Sequence, residues 1–127
     1  MTQHNLETVE DIKTPLVERL IEKVRRSGFK KIKATLEEYE DPQSFRNMDS
    51  DRVIVPDVTA VKNGRKHYFE VALKSSAIQK VVNKWKLLST LADTKKGKLH
   101  LYTPRGHKSF AHRLVAKYNI KAKIVSL

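Results

Sequence analysis

The dipeptide Asn63-Gly64 is the feature that most constrains the fold of this chain. It separates two runs rich in β-branched and aromatic residues, VIVPDVTAVK before it and RKHYFEVALK after it. Asn-Gly between such runs predicts a two-residue type I′ hairpin, because both central residues of that turn need positive φ. The turn also sets the pairing of the two strands. Counting outward from it places Asp57 directly opposite Glu70.

Two carboxylates in that position require an explanation. Directly opposed residues share a sheet face with Cβ atoms about 4.5 to 5.5 Å apart, and like charges there are destabilising unless they are neutralised. A divalent cation would neutralise them; the alternative is a pair of solvated strand acids matched by nearby lysines. The register is supported by an apolar set predicted for the opposite face, which consists of Ile54, Val58, Ala60, Phe69, Val71 and Leu73.

Hydrophobic periodicity predicts the remaining elements. A helix is expected over 14–27, with Thr14 as N-cap and Pro15 as first helical residue, and a long helix over 75–92 with an apolar stripe that includes Trp85. An edge strand is expected over 29–36, a loop over 37–51, and strands over 99–103 and 120–125 that flank a third helix near 110–118. The order is α-β-β-β-α-β-α-β. It predicts an α/β domain with a mixed central sheet flanked by helices.

The charge of the chain favours a polyanionic partner. The 127 residues include 26 Lys and Arg against 14 Asp and Glu, a formal net charge of +12. Nucleic acid is the first hypothesis, because binding its phosphates releases condensed counterions, whereas no helix has the pattern of a basic membrane anchor. A basic surface kept for solubility is the alternative. The candidate phosphate contacts are Lys80, Lys84, Lys86, Lys95, Lys96, Lys98, Arg105, Lys108 and Arg113.

Other features narrow the class of protein. The length fits a single domain over 1–127, and no apolar run approaches the roughly 20 residues of a membrane span. There is no cysteine, so disulfides and thiolate metal sites are excluded, and the first residues lack the pattern of a secretory signal. We therefore expect a cytoplasmic protein. No Walker loop, GxGxxG or GxSxG motif occurs.

Pro56-Asp57, followed after twelve residues by Glu70 in YFEVALKS, resembles the PD-(D/E)xK nuclease superfamily. The resemblance covers most of the chain and implies a restriction-endonuclease-like αβββαβ core. It also implies that Asp57 and Glu70 bind Mg²⁺ (or Mn²⁺), with the backbone carbonyl of Val71 as a further ligand. The family includes restriction enzymes and Holliday-junction resolvases.

The lysine of the motif is displaced in this chain. The family places it two residues after Glu70, where this sequence has Ala72, and the next lysine is Lys74. On an unbroken strand Lys74 shares the face of Glu70 but starts about 6.6 Å farther along. Lys74 is the first candidate for the water-orienting lysine, and Lys80 or Lys84 on the following helix are the alternatives.

Two weaker correspondences accompany the motif. Many family members carry a glutamate on the first helix about ten residues before its terminal glycine, and Glu18 lies ten residues before Gly28. A glutamine on the helix after the motif is also common, which Gln79 matches loosely.

The sequence thus supports three hypotheses. The first is a Mg²⁺-dependent DNA endonuclease acting on duplex or branched DNA, for which the resemblance to small members of the family suggests a homodimer. The second is a weakly active or inactive nucleic-acid-binding module on the same fold. The third is a basic RNA-associated protein of unrelated fold, because net charge does not separate RNA from DNA.

Overall fold

The structure is a computed structural model that describes residues 9–46 and 52–127. Three helices and seven strands occur in this part of the chain. The helices are α1 (Val9–Arg26), α2 (Ile78–Thr94) and α3 (Lys108–Lys117). The strands are β1 (Lys30–Ala34), β2 (Phe45–Arg46), β3 (Val53–Ile54), β4 (Val58–Lys62), β5 (Arg65–Val71), β6 (Leu99–Thr103) and β7 (Lys123–Ser126).

Five of these strands form a mixed sheet in the order β1-β4-β5-β6-β7. Asn63 and Gly64 adopt φ values of 54° and 73°, as the type I′ turn requires. The β4–β5 hairpin has the predicted register, from Lys62 opposite Arg65 to Val58 opposite Phe69. β5, β6 and β7 pair in parallel, so each crossover between them contains a helix. The α/β class, the mixed sheet and β1 as an edge strand are confirmed.

Helices cover both faces of the sheet. α1 packs against an apolar cluster that includes Val58, Ala60, Phe69 and Val71, the face predicted from the hairpin register. α2 and α3 cover the other face, where Trp85 is buried in the core as its place in the apolar stripe indicates. No helix in the described part of the chain is long and apolar enough to cross a membrane.

The start of α1 differs from the prediction. The helix begins at Val9 rather than after Thr14, and Pro15 lies inside it. Pro15 has no amide hydrogen to donate to the carbonyl four residues earlier, so a Thr-Pro pair is ordinarily a starting signal. The prediction of a first helical residue at Pro15 is therefore wrong, and the earlier start adds Ile12 and Lys13 to the helix.

The region between β1 and β4 also departs from expectation. β1 is shorter than predicted, and its register shifts between Lys30 and Lys33, beside the positive φ of 52° at Lys31. Part of the predicted 37–51 loop forms β2, which pairs with β3 in a separate two-stranded sheet; residues 47–51 lie outside the described part of the chain. Ile54 belongs to β3, so its predicted place on the apolar face of the main sheet is wrong.

The later elements shift only at their ends. β6 has the predicted bounds, whereas α2 begins three residues later than expected, with the Ala77 amide donating to Ser75 Oγ before the helix starts. α3 begins at Lys108 and β7 at Lys123. The predicted start at Ile120 belongs to the end of α3 instead, because Asn119 adopts a φ of 57° and the Ile120 amide donates to the Val115 carbonyl at 3.0 Å.

The strand directions define two ends of the main sheet. Because β1, β5, β6 and β7 point the same way, their carboxyl ends meet at one edge, which we call the carboxyl edge. Asp57 and Glu70 lie there, and α2 and α3 begin there. The opposite end, which contains the Asn63-Gly64 turn and the C-terminal ends of α1 and α2, is the amino edge.

Candidate functional site

Backbone amides hold the carboxylates of Asp57 and Glu70 in place at the carboxyl edge. The Asp57 amide donates to Oε2 of Glu70 at 2.7 Å, and the Val71 amide donates to Oδ2 of Asp57 at 2.9 Å. Both residues are buried, with 4% and 2% of their surfaces exposed. Each carboxylate therefore has one oxygen held by the backbone of the opposite strand and one oxygen left for another partner.

Two lysines from different helices contact the remaining oxygens. Nζ of Lys13 on α1 lies 2.9 Å from Oδ1 of Asp57, and Nζ of Lys84 on α2 lies 3.0 Å from Oε1 of Glu70. Two negative and two positive charges thus balance in this cluster. The alternative raised from sequence, strand acids matched by lysines, describes these contacts, although the acids are buried rather than solvated.

Burial raises the pKa of Glu70, and the neighbouring Asp57 carboxylate raises it further. Lys84, Lys13 and the amide of Asp57 act in the opposite direction, since each favours the charged carboxylate. The protonation of Glu70 therefore depends on how much positive charge lies close to its carboxylate. Any cation that binds the pair shifts Glu70 toward its ionised form.

Glu70 and the two lysines of this cluster line a cleft at the carboxyl edge. The cleft has a volume of about 440 Å³ and is bordered by α1, the end of β5, α2 and the loop after β6. Its cationic side chains include Lys13, Lys74 and Lys84, and its apolar wall includes Trp85. α2 and α3 carry no acidic residue in their first turns. The positive ends of both helix dipoles are thus unopposed locally, which favours anions at this edge.

The structure separates the candidate lysines. Lys74 lines the cleft. Its backbone amide donates to Nδ1 of His107 at 2.9 Å, which fixes the main chain at this residue. Ala72, at the family's lysine position, is buried in the core. The lysine that contacts Glu70 is Lys84, one of the alternatives on the following helix.

Glu18 and Gln79 lie apart from the carboxylate pair. Glu18 lines a different cleft, together with Glu22 and Tyr39. The Gln79 side chain donates to Oδ1 of Asn83 on the exposed surface of α2 at 2.9 Å. Neither joins Asp57 in the described structure.

The nine candidate phosphate contacts do not share one surface. Lys84, Arg105 and Lys108 lie at or near the carboxyl edge, whereas Lys95, Lys96 and Lys98 lie at the amino edge. Lys80 is near the beginning of α2. Lys86 and Arg113 lie over the rings of Tyr118 and Phe110, at 5.8 and 5.7 Å from the ring centres.

Sequence reasoning missed Lys13, because the predicted helix began one residue after it. Val9, Ile12 and Leu16 recur at helical spacing, which was the signal for an earlier start. An earlier start makes Lys13 a helical residue close to the sheet.

No group of three or more His, Cys, Asp or Glu side chains arranged to hold a metal ion occurs within residues 9–46 and 52–127. The comparisons of the chain with protein-family models, with curated proteins and with solved structures found no match. The chemistry open to the site therefore follows from its geometry alone.

Proposed function

We propose that this protein is a Mg²⁺-dependent DNA endonuclease of the PD-(D/E)xK type. The observation that carries the proposal is that Asp57 and Glu70 are buried side by side at the carboxyl edge of a mixed sheet, where the Asp57 amide holds the Glu70 carboxylate and the Val71 amide holds that of Asp57. Crevices at the carboxyl ends of strands are where ligands bind in open α/β sheets. A pair of buried acids at that position is costly unless it serves a cation or another charge partner.

The residues present fit a hard divalent cation. Oδ1 of Asp57 and Oε1 of Glu70 are contacted by flexible lysine side chains, whereas the other two oxygens are held by backbone amides. Mg²⁺ is commonly bound by one or two carboxylates and retains several waters, so two protein carboxylates suffice. When bound, the ion would polarise a phosphoryl oxygen and lower the pKa of a bound water. Val71 carbonyl remains the third proposed ligand.

Lys84 replaces Lys74 as the proposed water-orienting lysine. It comes from the helix that follows the motif strand, and its ammonium lies 3.0 Å from Glu70. An ion bound at Oε1 would displace this ammonium, which α2 would still hold close enough to the carboxylates to orient a water beside them. Lys13, on the other side of the pair, would stabilise the negative charge that develops on the phosphate.

The cleft also suits a phosphate backbone. Lys74 and the beginnings of α2 and α3 provide positive potential around the acids, and among the described residues that line the cleft Glu70 is the only acid. The cations compensate the repulsion between the Asp57–Glu70 pair and an approaching polyanion.

A binding module without turnover is the second candidate. The observation that favours it is that Lys13 and Lys84 already neutralise both carboxylates through direct contacts. In that case the four side chains would be a structural ion-pair cluster, and the cleft would bind nucleic acid without metal.

Asp57→Asn separates these candidates, with Asp93→Asn on the surface as the matched control. We expect the purified protein to cleave duplex or branched DNA with Mg²⁺ or Mn²⁺, and Asp57→Asn to lower the rate more than about 100-fold, since metal-assisted charge stabilisation contributes several kcal/mol. Asp93→Asn should cleave like the natural protein.

Cleavage that survives both chelator and Asp57→Asn would contradict the nuclease proposal. Salt-sensitive binding, unchanged by chelator and without cleavage under either metal, would support the binding module. Thermal unfolding of each variant is compared with that of the natural protein, to show whether a variant that loses activity is still folded.

A further inference from the structure

The amino edge of the sheet carries a second concentration of positive charge. Three chain segments meet there: 26–31, from the last residue of α1 into the start of β1; 62–66, around the hairpin turn; and 95–98, between α2 and β6. Each contains three lysines or arginines and no acid. The nine side chains, which we call the amino-edge surface, are Arg26, Lys30, Lys31, Lys62, Arg65, Lys66, Lys95, Lys96 and Lys98.

Contacts between the segments place them side by side at this edge. Nζ of Lys62 donates to the Ser27 carbonyl at 2.7 Å, which ties the hairpin to the first segment. The Lys98 amide donates to Nδ1 of His67 at 3.2 Å, which ties the hairpin strand to the third. Gly97 lies against the Lys66 carbonyl so closely that a Cβ there would be 1.8 Å from its oxygen.

The cations also act on one another electrostatically. Burial together with the charges of Lys33 and Lys95 lowers the pKa of Lys66. Eight of the nine side chains are nonetheless exposed. Holding so many like charges in one place is unfavourable in the free protein, and an anionic partner would relieve the repulsion.

We propose that the amino-edge surface is a second, metal-independent binding surface for the phosphate backbone of nucleic acid. Arg65 and Glu70 are five residues apart on β5, which is about 17 Å at the rise of a strand. The surface is therefore separate from the carboxylate pair. It does not depend on whether the cleft hydrolyses its ligand.

The character of the surface favours phosphate over base recognition. The ring of Phe29, within the first segment, is covered by Lys62, whose Nζ lies 5.2 Å from the ring centre. Phe29 also packs edge-on against His67 and Phe69. Its ring is thus not available for stacking on a base, so binding should be largely independent of sequence and strongly dependent on salt.

The test removes one exposed cation from each segment, in the triple variant Lys30→Gln, Arg65→Gln and Lys95→Gln. Binding of a fluorescein-labelled 20-base-pair DNA duplex is measured by anisotropy in chelator across a salt series. We expect a loss of affinity of at least about tenfold and a decrease in the salt slope of about one per contacting cation.

A triple variant of equal charge change, Arg19→Gln, Arg52→Gln and Lys117→Gln, serves as the control. These side chains are exposed and lie outside the three segments. We expect less than about a threefold loss of affinity. Equal losses in both variants would overturn the proposal, because binding would then follow net charge alone.

Two further measurements complete the test. Binding of the natural protein to anionic phosphatidylserine vesicles, without binding to the duplex, would overturn the proposal in favour of a membrane surface. Cleavage with Mg²⁺ is recorded separately. If no protein cleaves but the amino-edge variant selectively loses duplex binding, the nuclease proposal fails and this inference stands.

Discussion

At the residue scale, the candidate site depends on which atoms of two carboxylates are already engaged. Backbone amides hold one oxygen of Asp57 and one of Glu70, and lysine ammonium groups contact the other two. A lysine side chain can move away from its carboxylate while the strands stay folded. The backbone amides that hold the other oxygens cannot move without disrupting the hairpin. The oxygens facing Lys13 and Lys84 are therefore the ones a cation would use.

The choice between the two lysines of the cleft is testable. Lys84→Met should lower metal-dependent cleavage by at least about 100-fold, because groups that position or transfer a proton contribute about 10² to 10⁴ in rate. Lys74→Met, which removes the same charge from the same cleft, should cost less than about tenfold. The measurement is the single-turnover cleavage rate at saturating protein.

An equal loss in both variants would contradict the assignment to Lys84, and a larger loss for Lys74→Met would restore the sequence-based choice. Thermal unfolding must accompany the rates, because Lys84→Met leaves Glu70 buried without that partner.

A second residue-scale prediction concerns His100, whose ring stacks on Phe69 with centres 4.6 Å apart. Burial, followed by His67 and two lysines, lowers the pKa of His100 from 6.5 to about 4. Between these values the unfolded state binds the proton and the folded state does not, so stability falls as pH falls. By pH 5 the loss attributable to His100 is about 2 kcal/mol relative to neutral pH.

The matched variant is His100→Phe, which keeps a ring but cannot titrate. Urea unfolding at pH 7.5 and pH 5 should show a smaller loss of unfolding free energy in the variant, by about 2 kcal/mol. Identical pH dependence in the two proteins would show that His100 is protonated equally in the folded and unfolded states. The comparison also removes the contribution of Glu70, which both proteins share.

At the scale of elements, strand direction and helix starts assemble the site. Parallel β5 and β6 bring their carboxyl ends together, and the helix that connects them begins beside Glu70 and carries Lys84 back over the pair. α1 reaches the same place from the other face because it begins before Pro15. At the opposite end of the β5–β6 pair, the backbone of Gly97 packs closely against the Lys66 carbonyl.

Gly97→Ala should destabilise the fold by about 2 to 3 kcal/mol, because its Cβ would lie 1.8 Å from a backbone oxygen that cannot move alone. Gly106→Ala is the control. Its Cβ would meet nothing within 4 Å, so only the strain of a φ of +89° remains, about 1 to 2 kcal/mol. Denaturant unfolding compares them, and a cost at Gly97 no greater than at Gly106 would contradict the close approach of Gly97 to the Lys66 carbonyl.

At the scale of the whole molecule, charge is divided between two ends of one sheet. The carboxyl edge combines buried acids with lysines in a cleft, and the amino edge has exposed cations from three acid-free segments. The net charge of +12 therefore does not describe a uniformly basic surface. The buried acids make the first edge suited to a cation and phosphate together, and the three acid-free segments make the second edge suited to phosphate.

Much of this arrangement was predictable from local sequence. The Asn63-Gly64 turn imposes a backbone geometry that only one strand register satisfies, so the meeting of Asp57 and Glu70 followed from counting residues. The apolar stripe of α2 predicted the burial of Trp85 in the same way. The start of α1 was missed because a Thr-Pro pair is a local starting signal, and packing against the sheet overrode it.

The sequence by itself determined the hairpin, the order of the helices and main-sheet strands, and the opposition of the two acids, because turn chemistry and side-chain periodicity act over a few residues. Only the tertiary structure decided which cations meet those acids. Lys13 and Lys84 are distant in sequence from their partners, and their contacts depend on where α1 and α2 cross the carboxyl edge. It likewise decided that the candidate phosphate contacts divide between two edges, because strand direction assigns each loop to one end of the sheet.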